Sequence, residues 1–191
     1  IVLEISSFQL DDIETFRPHV STILNITPDH LDRYEYKMEK YVASKFRITR
    51  NQTKDDFFAY NADDKEILDY LDTAEIAPQL VAIEEANYLN GVQRVDGKSF
   101  QYKLKGRHNR YNIQTVVTMS RLIGLTDDEI ALGLETFESL AHRLEYITTI
   151  NGVEYINDSK ATNVDSVFYA LDAMEGKVVW IAGGIDKGND Y

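Results

Sequence analysis

The run Tyr155-Ile156-Asn157-Asp158-Ser159-Lys160-Ala161-Thr162-Asn163 packs an acid, an amine and two hydroxyls into a single turn. The apolar stretch Val153–Ile156 before it reads as a short strand, and Val164–Met174 after it reads as an amphipathic helix. Where a strand gives way to a helix, the first N–H groups of the helix lack intrahelical partners and can hold an anion. The side chains of this turn are more than a turn requires, so it is the first candidate for ligand chemistry.

Other residues carry chemistry on a similar plan. Glu4 ends an apolar run and is followed by Ser6 and Ser7. A carboxylate beyond a strand end can hold Mg²⁺, which prefers hard oxygen donors, or it can simply be a solvated acid. His30 lies in Thr27-Pro28-Asp29-His30-Leu31-Asp32-Arg33, which suits a general base, a hydrogen-bond donor or a metal ligand, or a loop of local ion pairs. Lys45 falls on the apolar stripe of a predicted helix. Its stem can snorkel along the core with the amine in water. Alternatively the amine is partly buried, its pKa lowered, and it can take up CO₂ as a carbamate. Asn109 and Asn112 share one face of a predicted helix start, where they could contact a nucleotide or cap the helix. Arg143, at a predicted junction, could clamp phosphate through two parallel hydrogen bonds or pair with a nearby acid. Gly97-Lys98-Ser99 is not a P-loop: Val92 stands where the first glycine should be, and a strand follows, so it reads as a hairpin turn.

The elements that must position these groups follow from periodicity. Ile1–Ile5 and Ser21–Ile26 read as buried parallel strands. Lys37–Arg50 reads as a helix with Met38, Tyr41, Val42 and Phe46 inward. Asp56–Tyr60, Gln79–Ile83 and Ser99–Leu104 read as strands. Gly106 precedes a helix to Ile123 with Ile113, Val116, Val117, Ser120 and Ile123 inward. Thr126 caps a helix over Asp127–Phe137. Leu144–Ile150 and Val153–Ile156, joined by Asn151-Gly152, predict a hairpin. Val178–Ala182 reads as a buried strand that would complete a βαβ unit. The fold class is α/β: a first domain over 1–140 with a mostly parallel sheet, then the start of a second α/β domain over 141–191.

The 191 residues are 43% hydrophobic and carry a net charge of −12, which argues against broad binding to nucleic acid. There are no cysteines, which excludes disulfides and thiolate metal sites, and no apolar run approaches the ~20 residues of a membrane span. No nucleic-acid or membrane partner is expected, and the composition suggests the cytoplasm. The sequence opens inside an apolar run and closes soon after another. It reads as a piece of a longer protein, with uncovered apolar surface that would favour self-association.

Together the motifs resemble the Mur ligase family, and most closely its D-glutamate-adding branch. The matching strings, in order, are Leu3 to Leu10, Asn25 to Arg33, Tyr41 to Ile48, Gly106 to Asn112, His142-Arg143 and Asn157 to Asn163. The stretch 51–105 carries little of it. The resemblance implies an ATP- and Mg²⁺-dependent ligase of peptidoglycan-precursor synthesis, with 1–140 as a partial central ATPase domain and 141–191 as the start of a Rossmann-like C-terminal domain. It would phosphorylate the carboxylate of UDP-N-acetylmuramoyl-L-alanine and join the acyl phosphate to D-glutamate. Carried over by position, Glu4 and His30 would hold Mg²⁺, and Lys45 would be the carbamoylated lysine that supports it. Ser6 and Gln9 would face the UDP-sugar. Asn109, Asn112, Arg143 and Asp158 would contact ATP. Lys160 and Thr162 would lie near phosphate and D-glutamate, and Lys187 would meet the D-glutamate carboxylate. The family's P-loop is missing before Glu4, so the chain alone is expected to be inert. The competing reading is a non-catalytic nucleotide-binding or interaction module on the same scaffold.

Overall fold

The computed structural model describes residues 1–84, 88–89, 92–104 and 106–184. A short helix, α1 (Ser7–Asp11), leads to the first strand, β1 (Val20–Ile23). Helix α2 (Met38–Phe46) and β2 (Phe57–Asn61) follow, then α3 (Lys65–Thr73) and β3 (Gln79–Ile83). The three strands form a parallel sheet in the order β1-β2-β3, with Val20 opposite Phe57 and Phe57 opposite Gln79. Parallel neighbours need crossovers, and α2 and α3 supply them.

Core packing follows the expected stripe. Tyr41, Val42 and Phe46 of α2 are buried with Ile23, Phe58 and Ile67, and Met38 packs at the edge. Phe46 stacks on Tyr70 at 3.9 Å and meets Phe58 at 5.5 Å. Each such fully buried side chain contributes on the order of 1.5–3 kcal/mol. The buried carboxylate of Asp56 fixes the entry to β2. Its Oδ2 accepts from Arg17 Nε and from the Thr53 N–H, both at 2.7 Å, and His19 Nδ1 lies 3.3 Å from Oδ1. The Arg17 hydrogen bond, foremost, holds the Asp56 carboxyl well below the usual range.

A small antiparallel sheet comes next: β4 (Tyr88–Leu89), β5 (Val92–Val95) and β6 (Lys98–Gln101). The Asp96-Gly97 turn joins β5 to β6, with φ of 48° and 80°, so Gly97-Lys98-Ser99 belongs to a hairpin, as expected. This sheet packs on α4 (Arg107–Leu122) and α5 (Asp127–Thr136), burying Val95, Phe100, Ile113, Val117, Ile130 and Leu134. Thr126 and Glu129 close a reciprocal capping box on α5. Residues 137–144 contain no helix or strand. Then β7 (Glu145–Ile150) and β8 (Val153–Asn157) form the predicted hairpin, and α6 (Val164–Asp172) follows. Asn151 and Gly152 both take positive φ, which matches the right-handed twist of the strands.

Four expectations change. Ile1–Ile5 is not a strand; Ile1, Val2 and Leu3 are exposed. Val178–Ala182 is also not a strand, with Val179 90% and Ile181 91% exposed, so the second βαβ unit is not closed. Apolar character makes a strand only where a neighbour completes its ladder, and no described strand pairs with either run. On α4, Val116 and Ile123 face solvent, because Ile113 and Val117 already fill the narrow contact with α5 and the small sheet. On α6, Val164, Phe168 and Leu171 are exposed, since no described layer covers that stripe. Among elements the periodicity did not single out are α1, α3 and β5.

Candidate active site

The carboxyl ends of β1, β2 and β3 open into a cleft of about 1900 Å³. Asn25 and Thr27 after β1, Asp63 and Asp64 after β2 and Glu84 after β3 lie along it, where open α/β sheets bind ligands. The first turns of α4 form a second wall. Tyr111 Oη fixes that wall to the sheet, lying 2.7 Å from the Ile83 carbonyl and 2.9 Å from Asp63 Oδ2. The Arg143 turn, the end of β8 and the start of α6 form the third.

Five predicted residues meet here: Asn109, Asn112, Arg143, Asp158 and Lys160. Asn112 Nδ2 donates to Asn109 Oδ1 at 3.1 Å, which orients both amides at the positive end of α4. Arg143 sits between two left-handed residues, His142 (φ 68°) and Leu144 (φ 44°). The Leu144 N–H donates to Asp158 Oδ1 at 3.0 Å, and the Lys160 N–H donates to the His142 carbonyl at 3.0 Å. Arg143, Asp158 and Lys160 are thereby one mechanical unit. Asn163 Oδ1 accepts from the Ser166 N–H at 2.8 Å and caps α6. Thr162 is exposed and does not line the cleft, and Lys187 lies outside the described residues.

A second group gathers around α1 and α2. His30 takes a left-handed φ of 51°, and its Nε2 lies 3.6 Å from Asp29 Oδ2. Phe8 of α1 meets the His30 ring edge-on at 6.1 Å. The Lys45 Nζ sits 4.7 Å from the centre of the Tyr41 ring. Burial lowers the Lys45 pKa, and the Asp29 charge opposes the shift. Burial, then Asp29, pushes the Tyr41 hydroxyl up to about 12. Ser44, next to Lys45, donates to Asp11 Oδ1 at 2.7 Å and ties α2 to α1. Ser6 gives both its N–H and its hydroxyl to Gln9 Oε1, at 2.9 Å each, so these two side chains engage each other. Glu4 is exposed in the irregular leading segment.

Among the described residues, no three His, Asp or Glu side chains converge on a metal position. Mg²⁺ keeps several waters and takes one or two carboxylates beside substrate phosphates. Lys45 as an amine offers Mg²⁺ nothing, whereas its carbamate would supply hard oxygens.

Two groups escaped the sequence reading. Asp29 was visible only as one charge in a dense loop, yet its field reaches both Tyr41 and Lys45. His108, between Gly106 and Asn109, lines the cleft with its ring against Tyr169. Position beside Asn109 was the available signal for it.

A three-stranded parallel sheet with its crossover helices, and a cleft at the carboxyl ends lined by paired amides, an arginine, an acid and a lysine, define an α/β domain with a ligand cleft at its strand ends. The chain belongs to the Mur ligase family: residues 1–120 match the Mur ligase middle domain. It is 47% identical, over its whole length, to a protein of Christiangramia forsetii named UDP-N-acetylmuramoylalanine--D-glutamate ligase. A protein of the same name from Cytophaga hutchinsonii is 43% identical, also over the whole chain. The chain spans 46% of the length of each. Among solved structures, MurF from Acinetobacter baumannii superposes with a TM-score of 0.67 at 21% identity, over 84% of this chain and 38% of that one. MurC from Thermotoga maritima superposes at 0.62 and 20% identity, over 88% and 40%. These likenesses establish the fold.

Proposed function

We propose that this chain is part of an ATP-dependent ligase that joins D-glutamate to UDP-N-acetylmuramoyl-L-alanine. The observation that carries the reading is the 47% identity to a ligase of that name along the entire chain. The convergence of Asn109, Asn112, Arg143, Asp158 and Lys160 on one cleft supports it. Residues 1–140 form the central ATP-handling domain, and 141–191 begin the amino-acid-binding domain.

A carboxylate is a poor electrophile, so it must first be activated. Its oxygen attacks the γ-phosphorus of ATP, ADP leaves, and an acyl phosphate forms. The free amine of D-glutamate then attacks the carbonyl carbon, phosphate departs, and the amine proton passes to a base or water. Positioning and charge neutralisation account for most of the acceleration. Asn109 and Asn112 hold the nucleotide at the α4 N-terminus, Asp158 takes the ribose, and Arg143 takes phosphate. Lys160 neutralises charge developing on the transferred group. Ser6 and Gln9 orient the UDP-sugar, and Lys187 pairs with a D-glutamate carboxylate. Glu4, His30 and carbamoylated Lys45 would hold Mg²⁺, which when bound neutralises phosphate charge. The reading carries a cytoplasmic location, where ATP is supplied.

The test is amide synthesis by the full-length protein, supplied with ATP, Mg²⁺ and UDP-N-acetylmuramoyl-L-alanine. Product with D-glutamate, and none with L-glutamate, L-lysine or meso-diaminopimelate, is the expected result. Product with another amino acid overturns the substrate, and no product with any overturns the activity.

A further inference from the structure

Both cleft walls that carry the predicted nucleotide contacts are stiff, but they belong to different parts of the chain. Asn109 and Asn112 ride on α4, which is anchored by buried Ile113 and Val117. Arg143 and Asp158 are bound to each other through Leu144, on the far side of the residues 137–144 that hold no helix or strand. The β7–β8 hairpin is largely exposed on both faces, and so is half of the α6 stripe. Little packing therefore fixes the second wall against the first.

His108 supplies a contact across this gap. Its ring lies 5.7 Å from the Tyr169 ring of α6, tilted by 55°. The backbone is shaped to admit it. A Cβ placed on Gly106 would fall 2.7 Å from His108 Cε1, 3.0 Å from its Nδ1 and 3.3 Å from the Ala173 Cβ at the end of α6. Gly106 also takes a φ of 96°, which L side chains rarely adopt. The glycine thus opens the seat that both the imidazole and α6 occupy. His108 Nδ1 is buried without a hydrogen-bond partner among the described residues, so that nitrogen gives the ring no polar anchor there.

We propose that His108 is a positioning residue that locks α6 to α4 through Tyr169 and so sets Asn109 and Asn112 against Arg143 and Asp158. The proposal rests on the nucleotide reading of the cleft. ATP bridging both walls binds well only when their spacing is right, and an error of about 1 Å can cost roughly 100-fold in reaction rate. In this role His108, although it lines the cleft, acts on the substrate through the elements it joins. Burial lowers the pKa of its imidazole, with Asp158 opposing and Arg143 reinforcing that shift.

The experiment is a double-mutant cycle on the full-length protein, read by ATP affinity in calorimetry and by thermal melting without nucleotide. H108A and Y169A should each weaken ATP binding by about 10-fold or more, and the double variant should be no weaker than either single one, because both remove one contact. H108F, which keeps the ring and drops the nitrogens, should restore affinity to within about 3-fold. Affinity unchanged in H108A and Y169A, or losses that add in the double variant, would overturn the lock. H108F as weak as H108A would also overturn it, since the nitrogens would then matter by touching the nucleotide. Should H108A fail to fold, Y169L and H108F carry the same comparison. A wild-type protein that binds no ATP overturns the ligase reading and the positioning role with it; a wild type that binds ATP with an additive cycle overturns the lock alone.

Discussion

Lys45 combines a half-buried amine, an aromatic ring beneath it and a carboxylate field from Asp29. Burial raises the share of neutral amine, whose lone pair can bond to the carbon of CO₂ with loss of a proton. Activity of the full-length ligase should therefore fall in CO₂-stripped buffer and return with bicarbonate, and K45R should lose at least about 100-fold in kcat, the order seen when a preorganised charge is removed. Indifference to bicarbonate would exclude the carbamate. His108 gives a pH signature of known sign. Its folded pKa is depressed, by burial first, so the unfolded chain takes up the proton sooner. Stability is then greatest above the ordinary histidine pKa of about 6.5 and declines as pH falls from there. Melting at pH 7 and pH 5.5 should show that slope, and H108F should flatten it; an unchanged slope would mean that His108 does not titrate across folding. Asp56 also fails toward acid, starting where pH falls into the usual carboxylate range and continuing below it, because its folded pKa is lowered too. Replacing it by Asn should cost roughly 1–3 kcal/mol, the cost of leaving buried donors poorly paired, measured by denaturant titration.

At the scale of elements, glycines at positive φ are the sharpest points. Gly152 closes the β7–β8 hairpin at φ 79° with open space around it, so Gly152→Ala meets conformational cost alone, about 1 kcal/mol. Gly106→Ala adds a clash with His108 to a similar backbone cost and should lower the melting temperature further. Equal effects in the two variants would mean that the His108 ring moves aside freely. The hairpin was readable because Asn-Gly between apolar runs fixes both turn type and register locally. The α2 stripe was readable for the same local reason. Helix α3 had a comparable signal, with Asp64 accepting from the Ile67 N–H as N-cap and Tyr70 and Leu71 continuing the stripe, but the charges between them obscured the period. The runs 1–5 and 178–182 had strand composition without strand partners, and composition does not report partners.

The whole chain exposes apolar side chains in patches rather than singly. Val178, Val179, Trp180 and Ile181 lie uncovered together, and Tyr146, Ile147, Ile150, Val153 and Tyr155 are exposed on the hairpin. Such surface is a docking or aggregation liability in water. The 191-residue chain should therefore self-associate as its concentration rises, seen as a concentration-dependent mass in analytical ultracentrifugation. Trp180 is the sole tryptophan, so its emission should shift blue over the same range. A constant monomer mass with unchanged emission would contradict this.

What the sequence by itself determined is what local spacing can encode: the α/β alternation, the inward face of α2, the hairpin turn, the N-cap of α5 and the family motifs. It also marked Asn109, Asn112, Arg143, Asp158 and Lys160 as candidates. That these five face one cleft, that Ser6 and Gln9 bind each other, and that Lys45 lies within reach of the Asp29 charge were decided by tertiary structure alone. So was the seat of His108 on Gly106. Burial, orphaned donors and electrostatic fields depend on atoms brought together from distant positions, and the pattern of neighbours along a chain does not contain them.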